Sequence, residues 1–304
     1  MVLQKYKQKT KWKKETYIGL FGAIIPIVGF IVFNIFPIAL SFAAMFSDVD
    51  HGDISSLSWN SFANFSKAFT DTRFFHSVKI TLWLASAQFV SLAIALIVSF
   101  LLSKKQLGSK IFQILYFIPY ICSSVAVGVM FKAVFDYNGI INSLFGTDIN
   151  WFQNTDNPGS LTWLIFITVL WQAPGYGIVM FKAAFTAVNP ALYEAASIDG
   201  ASEWTKFWRI TIPGIAPTIF FLVMAGIGAG LTMFDVAQII APTDYAGIAG
   251  YDDMGLTLSY YIYIRTESYQ DMTSASVMSW CLFAVAFSLQ FIVYKVRNKL
   301  ESEV

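Results

Sequence analysis

The segment EAASIDGASEWTKFWRITIP, residues 194–213, is polar and lies between two long apolar runs, residues 160–185 and 214–241. Its composition predicts two short helices joined by a turn at Asp199-Gly200. A compact polar structure of this kind between apolar runs fits a socket on a partner protein. Two simpler interpretations remain open: a plain connection between the runs, or a helix pair that lies flat on the lipid headgroups.

The whole chain has the composition of a membrane protein, since 56% of its residues are hydrophobic and 13% are charged. Soluble domains carry about 25% charged residues. Several nearly uncharged windows of about 20 residues are long enough to cross a bilayer as helices. The roughly 10-residue alternation of a transmembrane barrel is absent. The sequence therefore predicts an all-α, polytopic membrane protein. Six transmembrane helices are predicted, at residues 17–46, 75–102, 111–135, 160–185, 214–241 and 272–294.

The distribution of Lys and Arg predicts the orientation of these spans. With the N-terminus inside, 15 of the 20 Lys and Arg residues fall in cytoplasmic segments. The basic stretch Lys5–Lys14 precedes an apolar run too long for a signal peptide, which predicts a retained first span. The predicted parts are a cytoplasmic N-terminus 1–16, a transmembrane domain 17–294 with outer loops 47–74, 136–159 and 242–271, a cytoplasmic loop 186–213, and a cytoplasmic C-terminus 295–304.

Capping residues support the two helices predicted in the cytoplasmic loop. Asn189 can accept a hydrogen bond from a free N–H group, and Pro190 is tolerated at the first helical position. Gly200 can end this helix without a Cβ penalty, and Ser202 can cap the second helix. The second helix is expected to end where Pro213 precedes the fifth span.

The cytoplasmic loop resembles the E-A-A loop of permease subunits in ATP-binding-cassette (ABC) importers. The residues that match are Glu194-Ala195-Ala196, Asp199-Gly200-Ala201, Phe207, Ile210 and Ile212-Pro213, with Ile212 where Leu is usual. The Asp-Gly-Ala element and the terminal Pro are similar to carbohydrate permeases of the maltose and glycerol-phosphate type.

Two other stretches resemble the same family. Leu115–Tyr120 is similar to its third-span L-P-Y element. Phe234-Asp235-Val236 and Ala241-Pro242-Thr243 are similar to the stretch after its E-A-A loop, and Asp244-Tyr245-Ala246 stands where the family has Gly-Gly-Pro. The resemblance covers residues 15–300 and implies the type I ABC importer permease fold.

The resemblance implies a non-catalytic subunit in the bacterial cytoplasmic membrane that lets a sugar cross. The implied partners are a second homologous permease, an ATPase dimer that holds ATP and Mg, an extracytoplasmic solute-binding protein and membrane lipid. The chain itself is expected to bind no cofactor and no nucleic acid. The residues implied to couple the permease to the ATPase are Glu194, Ala195, Ala196, Asp199, Gly200 and Ala201.

The fourth and fifth spans offer residues for a substrate pathway. Pro174 and Gly175 loosen the fourth span, and Asp235 is an intramembrane acid of the kind that marks pathways. Sugars are recognised by aromatic faces and a few hydrogen-bonding groups. The predicted pathway residues are Trp171, Gln172, Tyr176, Gly230, Met233, Asp235 and Gln238, of which Trp171, Tyr176, Gly230 and Met233 are implied by similarity to maltose-type permeases. Packing between spans remains open for the glycines and aromatic residues, and a solvated position remains open for Asp235.

On the residues alone, two other classes of function are considered. A secondary transporter or channel that acts without an ATPase predicts internal repeats and a buried ion site, and neither is clear in the sequence. A membrane enzyme would need a polar catalytic cluster, which the sequence lacks. It also lacks a G-x-x-x-x-G-K-[ST] nucleotide-binding loop and metal-ligand spacing. Cys122 and Cys281 lie in apolar runs and are predicted to be buried or lipid-facing thiols. The outer stretch Trp59–Phe69 is predicted to lie along the membrane surface.

Overall fold

The computed structural model describes residues 14–50, 53–103, 108–153, 157, 159–243 and 247–302. Most of the basic N-terminus and the segment Asp244–Ala246 lie outside the described residues. Within them, five helices are long and apolar enough to cross a membrane, or six when one bent pair counts as a single span. The predicted all-α membrane fold is confirmed, with the addition of one short β-hairpin in the described part of the chain.

The first span is a helix that is exposed along its length. α1 (Lys14–Phe30) continues through a π-helical turn (Ile31–Ile35) into α2 (Phe36–Ala44). The apolar stretch Tyr17–Ala44 has 28 residues, and its most apolar window contains no buried residue. At 1.5 Å per residue it is about 42 Å long, enough to cross a bilayer. Most of its surface therefore faces lipid or another subunit, while its end packs on the sixth span through Ser41 and Phe42, which contact Trp280.

A β-hairpin and a short helix form the segment between the first and second spans, which is predicted to be an outer loop. β1 (Ser47–Asp50) pairs antiparallel with β2 (Asp53–Trp59), and α3 (Ala63–Thr70) follows. The side-chain amide of Asn64 donates to the carbonyl of Ser47 at 2.8 Å and holds α3 against the hairpin. The stretch predicted to lie along the membrane surface therefore consists of a strand end, a turn and a helix.

The second span, α4 (Thr72–Ser103), is a single helix of 32 residues at the centre of the fold. The fourth and fifth spans pack along it. Ser77, Thr81, Ala87 and Ala95 of α4 are almost fully buried in these contacts. Small side chains allow helix axes to approach closely in a membrane, which is why α4 can lie among several neighbours.

The third span is broken, although the sequence predicted one continuous helix. α5 (Ser109–Ile121) and α6 (Ser124–Val134) meet at an angle of 97°. Pro119 in α5 lacks an N–H donor, and its ring clashes with the carbonyl four residues earlier. Cys122 then adopts an extended backbone, with φ −62° and ψ 142°. The chain therefore changes direction at Cys122 and Ser123, three and four residues after Pro119, which itself lies within α5.

The fourth span follows a short outer helix, α7 (Ile140–Phe145). It consists of α8 (Ser160–Gln172) and α9 (Pro174–Ala187), which with Ala173 between them form 28 residues of apolar helix. Pro174 occupies the first position of α9 and cannot donate a backbone hydrogen bond. The span therefore contains a local irregularity at its middle.

The loop predicted to be cytoplasmic, residues 186–213, contains the two helices that its capping residues predicted, and it keeps the name cytoplasmic loop below. Its elements are α10 (Pro190–Ile198), α11 (Glu203–Lys206), a π-helical turn (Phe207–Thr211) and α12 (Ile212–Gly214). Asn189 Oδ1 accepts a hydrogen bond from the backbone N–H of Ala191 at 3.0 Å. Ser202 Oγ accepts one from the backbone N–H of Thr205 at 3.2 Å. Both N-terminal caps are formed.

The fifth span is broken as well. α13 (Ala216–Leu231) and α14 (Asp235–Ile240) are separated by residues 232–234. An outer helix, α15 (Leu258–Glu267), then precedes the sixth span, α16 (Met272–Ser302). The sequence analysis did not predict α15, because it is short and its polar and apolar residues are mixed.

An ion-pair network ties the outer loop around α15 to the start of α4. Arg73 pairs with both carboxylate oxygens of Asp253, at 2.7 and 2.8 Å. Arg265 pairs with Asp71, which also accepts a hydrogen bond from the hydroxyl of Tyr261. Burial raises the pKa of Asp71, but the bonds from Tyr261 and Arg265 outweigh burial and leave this pKa below its ordinary value of 3.8. These five residues are called the outer network below.

Candidate transport cavity and cytoplasmic loop

A cavity of about 740 Å³ lies where the broken third and fifth spans meet the proline irregularity of the fourth. The cavity is lined by Tyr120–Cys122 and Ser124 at the break of the third span, by Gln172–Pro174 in the fourth, and by Thr232–Val236 in the fifth. Irregular backbone at membrane depth is tolerated only where it is buried in protein or lines a water-filled cavity. Transporters use interrupted helices to build substrate sites. The convergence of two breaks with the proline irregularity of the fourth span marks this cavity as the candidate substrate site.

Polar side chains donate hydrogen bonds to backbone carbonyls beside two of the breaks, and one of these carbonyls, that of Gly228, also accepts the backbone N–H of Thr232. Gln172 Nε2 donates to the carbonyl of Cys122 at 3.1 Å, across the gap between the third and fourth spans. Thr232 Oγ1 donates to the carbonyl of Gly228 at 2.9 Å, at the end of α13. A free carbonyl in a low-dielectric site is unfavourable. These two side chains therefore stabilise the breaks as well as lining the cavity.

Gly175 brings the third and fourth spans into direct contact. A Cβ atom at this position would lie 2.5 Å from the carbonyl oxygen of Tyr116 and 2.9 Å from Cβ of Tyr120. Only glycine permits so close an approach of two backbones. As a result, the rings of Tyr120 and Tyr176 stack on the cavity wall, with centroids 5.4 Å apart.

α4 supplies a polar wall that the sequence analysis missed. Gln88, Ser91 and Ala95 line the cavity from one face of this helix. Gln88 lies over two glycines of α13, since a Cβ at Gly226 or Gly230 would be 3.7 Å or 3.3 Å from its side chain. The spacing i, i+3 and i+7 of these residues in a largely apolar helix was the signal that could have identified them.

The structure separates the seven predicted pathway residues into two groups. Gln172, Tyr176, Met233 and Asp235 line the cavity. Trp171, Gly230 and Gln238 are outside the lining that the described residues form. Trp171 instead meets the ring of Phe131 edge-on at 5.6 Å. Gly230 is buried against Ala85, and Gln238 is half-buried on α14.

The cavity combines apolar faces with hydrogen-bonding groups. Tyr120 and Tyr176 present aromatic surfaces, Gln88 and Gln172 carry amides, and Asp235 adds a carboxylate. Such a mixture suits solutes that carry both hydroxyl groups and apolar ring faces. No group of three or more His, Cys, Asp or Glu residues that could hold a metal ion occurs in the described part of the chain.

The turn of the cytoplasmic loop has the geometry of a Schellman motif. The N–H of Ala201 bonds to the carbonyl of Ala196 at 2.9 Å, and the N–H of Gly200 bonds to that of Ser197 at 3.2 Å. Gly200 has a φ of +75°, a backbone conformation that favours glycine. Nothing lies within 4 Å of a Cβ built at Gly200, so its surroundings are open.

α10 presents an unusually exposed surface. None of its residues is buried, and Ile198 is 87% exposed. Glu194, Ala195 and Asp199 are exposed, and Ala196 is half-buried. The six predicted coupling residues thus lie together on α10 and the turn that ends it, where another protein can reach them.

The loop is nevertheless firmly attached to the spans. Phe207 is buried, and its ring lies 4.6 Å from that of Phe100 in α4. The hydroxyls of Tyr193 and Thr211 are 2.9 Å apart and join α10 to the π-helical turn. α10 is thus bonded to the π-helical turn, and this turn packs on the second span and leads into the fifth; both spans line the cavity.

Comparison with known proteins identifies the class of this molecule. Residues 90–300 match the family described as binding-protein-dependent transport system inner membrane component. The chain belongs to this family. It is therefore a multi-pass inner-membrane permease subunit of an ABC transporter and a non-catalytic transport component. The resemblance inferred from the E-A-A loop is confirmed.

Individual relatives cover nearly the whole chain. It is 32% identical over 302 residues to the probable ABC transporter permease protein YesP of Bacillus subtilis, covering 96% of this chain and 94% of that protein. It is 28% identical to the lactose transport system permease protein LacF of Rhizobium radiobacter, covering 89% and 91%. It is 25% identical to the arabinooligosaccharides transport system permease protein AraP of Bacillus subtilis, covering 91% and 87%.

Solved structures show the same fold. A chain in the crystal structure of a bacterial alginate ABC transporter, in complex with an alginate pentasaccharide-bound periplasmic protein, superimposes with a TM-score of 0.79. The identity is 20%, and the match covers 94% of this chain and 96% of that chain. The predicted type I ABC importer permease fold is confirmed.

Proposed function

We propose that this chain forms half of the translocation pathway of an ATP-driven, binding-protein-dependent importer of mono- or oligosaccharides. The observation that carries the proposal is the cavity beside the breaks of the third and fifth spans, with its stacked tyrosines and its amides. Aromatic faces with a few hydrogen-bonding groups suit sugar rings. The names of relatives for lactose and for arabinooligosaccharides support the same class of solute.

In this proposal α10 inserts into a groove on an ATPase dimer, which binds ATP and Mg, while this chain binds no cofactor. The small side chains of Ala195 and Ala196 permit close approach, and Glu194 meets a basic residue of the ATPase. The contact of Phe207 with Phe100 supports transmission of ATPase closure to the spans. A second homologous permease completes the pathway, and a solute-binding protein delivers sugar to the outer face.

This arrangement requires both termini and α10 to be cytoplasmic, which the excess of Lys and Arg in those segments supports. Cysteines placed at Ser103 and Asp252 in a chain without its native cysteines would test it. In intact cells, an impermeant thiol reagent should label Asp252→Cys. It should label Ser103→Cys only after the cells are lysed. Labelling of Ser103→Cys from outside would contradict the orientation.

The function itself is tested by reconstituting the chain with its second permease, ATPase and binding protein in proteoliposomes. Lactose and arabino-oligosaccharides serve as probes, and amino acids and dipeptides as controls. A sugar is expected to stimulate ATP hydrolysis and to enter the vesicles with its binding protein. The proposal would be overturned if an amino acid or a dipeptide stimulated ATP hydrolysis and entered the vesicles while none of the sugars did so.

A further inference from the structure

We infer that Asp235 gives the cavity a negative potential, so that the pathway favours neutral sugars over sugars that carry carboxylate or phosphate groups. The inference deepens the proposed function and rests on it. Asp235 begins α14 at the break of the fifth span and lines the cavity in an exposed position. Among the described lining residues there is no Lys, Arg or His to offset its charge.

Four basic residues of neighbouring elements lie outside the cavity lining. Lys182 bonds to Gln113 at 2.7 Å and to Ser109 at 3.2 Å. Arg73 and Arg265 belong to the outer network. Lys132 lies in the last turn of α6, about 12 Å along that helix from its start at the cavity. In the described part of the chain, none of these four residues lines the cavity, and no ion pair involves Asp235.

This charge pattern discriminates between classes of sugar. An anionic sugar in a low-dielectric cavity needs a cation or several donors to replace its water. Near Asp235 it meets a like charge instead, and the low-dielectric walls of a cleft concentrate the field of that charge on the solute. A neutral sugar can donate hydroxyl hydrogen bonds to both carboxylate oxygens, and bonds to a charged acceptor are stronger than neutral ones.

Native Cys122 provides a reporter inside the same cavity. We would measure its reaction with a cationic and an anionic methanethiosulfonate reagent of similar size, in the assembled transporter. Cys281 would be replaced by Ser, and the partner subunits would lack reactive cysteines. The ratio of the rate with the cationic reagent to the rate with the anionic reagent is expected to be about threefold to tenfold higher at Cys122 than for a free thiol in solution. Asp235→Asn should remove most of this preference, and Asp235→Glu should keep it.

A preference that is absent, or unchanged in Asp235→Asn, would overturn the inference. This readout needs no sugar, so it is independent of the proposed function. A second arm compares uptake of a neutral oligosaccharide with uptake of its uronate counterpart. The wild type is expected to favour the neutral sugar, and Asp235→Asn to narrow the difference. If sugar uptake is intact but Asp235→Asn leaves the difference between the neutral sugar and the uronate unchanged, the inference alone is contradicted. If the wild type takes up no sugar at all, the proposed function is contradicted.

Discussion

The rings of Tyr120 and Tyr176 stack with their centroids 5.4 Å apart and their planes inclined by 25°. Tyr120 ends the L-P-Y element of the third span, and Tyr176 follows the Pro-Gly pair of the fourth. The stack exists because Gly175 lets the two spans touch. Two motifs that are distant in the sequence therefore form one aromatic wall of the cavity.

Replacing Tyr176 by Ala should weaken transport without preventing assembly. Loss of one aromatic contact with a sugar is worth about 1 kcal/mol, which corresponds to a roughly fivefold higher KM. Trp171→Ala is the control, since Trp171 packs on Phe131 outside the cavity lining. Uptake should be measured over a full sugar titration, with the yield of assembled complex as a second readout. An unchanged KM in Tyr176→Ala would exclude this wall from the pathway.

A methyl group at Gly175 should separate the third and fourth spans. The new Cβ would lie 2.5 Å from a backbone oxygen, which cannot rotate away as a side chain can. Overpacking of this kind costs about 1–3 kcal/mol, so Gly175→Ala should lower the thermal unfolding temperature and transport together.

Gly228→Ala is the matched control for this change, because its Cβ would be 3.7 Å from Gln290 Nε2, an ordinary contact. It should leave the unfolding temperature nearly unchanged. Equal unfolding temperatures for the two variants would show that the close contact at Gly175 is not required.

Reversing the charge at Glu194 should release the ATPase. Loss of one partner of a charge pair buried in an interface weakens the binding free energy by about 2–5 kcal/mol. Glu194→Lys is therefore expected to reduce co-purification of the ATPase with the permease. Glu267→Lys makes the same change in charge on α15 in the outer loop and should not. If both variants retain the ATPase as the wild type does, α10 is not the docking element.

Gly200→Trp tests the same contact by shape. The site has open space, so Trp fits within the chain, but it would fill the surface that α10 presents. Gly146→Trp is the control, because Gly146 also has a positive φ and open surroundings, but lies in an outer loop. Both variants bear similar backbone strain, and the loss of ATPase should be specific to Gly200→Trp.

The outer network should make stability depend on pH in the acid range. The pKa of Asp71 is lower in the folded chain than its ordinary 3.8. The interactions of ionised Asp71 therefore stabilise the fold fully when the pH is above the ordinary pKa of 3.8. This stabilisation is lost as the pH falls through the lower pKa that Asp71 has in the folded chain. We expect the unfolding temperature of the wild type to drop between about pH 5 and about pH 3 by roughly 2–4 °C more than that of Asp71→Asn. If the unfolding temperatures of the wild type and of Asp71→Asn fell equally with pH, Asp71 would not contribute to the pH dependence of stability.

Much of the fold could be predicted because it follows from local chemistry. Long apolar runs gave the spans, and Asn189, Gly200 and Ser202 gave the helix ends of the cytoplasmic loop, since a cap depends on its nearest neighbours. The break of the third span could not be predicted in the same way. Pro119 indicates that a helix can bend, but the 97° angle depends on how α5 packs against α9.

The candidate site was predicted less completely for a similar reason. Gln172, Tyr176 and Asp235 stand out in the sequence as polar or aromatic residues beside helix breakers. Gln88 lies in an unbroken helix, and its place in the cavity depends on the glycines of α13 that pack over it. Trp171 looked equivalent to Tyr176 in the sequence, but the direction of its side chain is set by the fold.

The central claim, that sugar passes through the cavity between the interrupted spans, is tested most directly by the alkylation rate of Cys122. N-ethylmaleimide would be added to the assembled Cys281→Ser transporter, with and without the oligosaccharide that best stimulates its ATPase. At about ten times the half-saturating concentration, the sugar should slow alkylation of Cys122 roughly tenfold, while a cysteine at Ser103, outside the cavity, should react at an unchanged rate. Equal rates for Cys122 with and without sugar, in a transporter that is importing that sugar, would contradict the account.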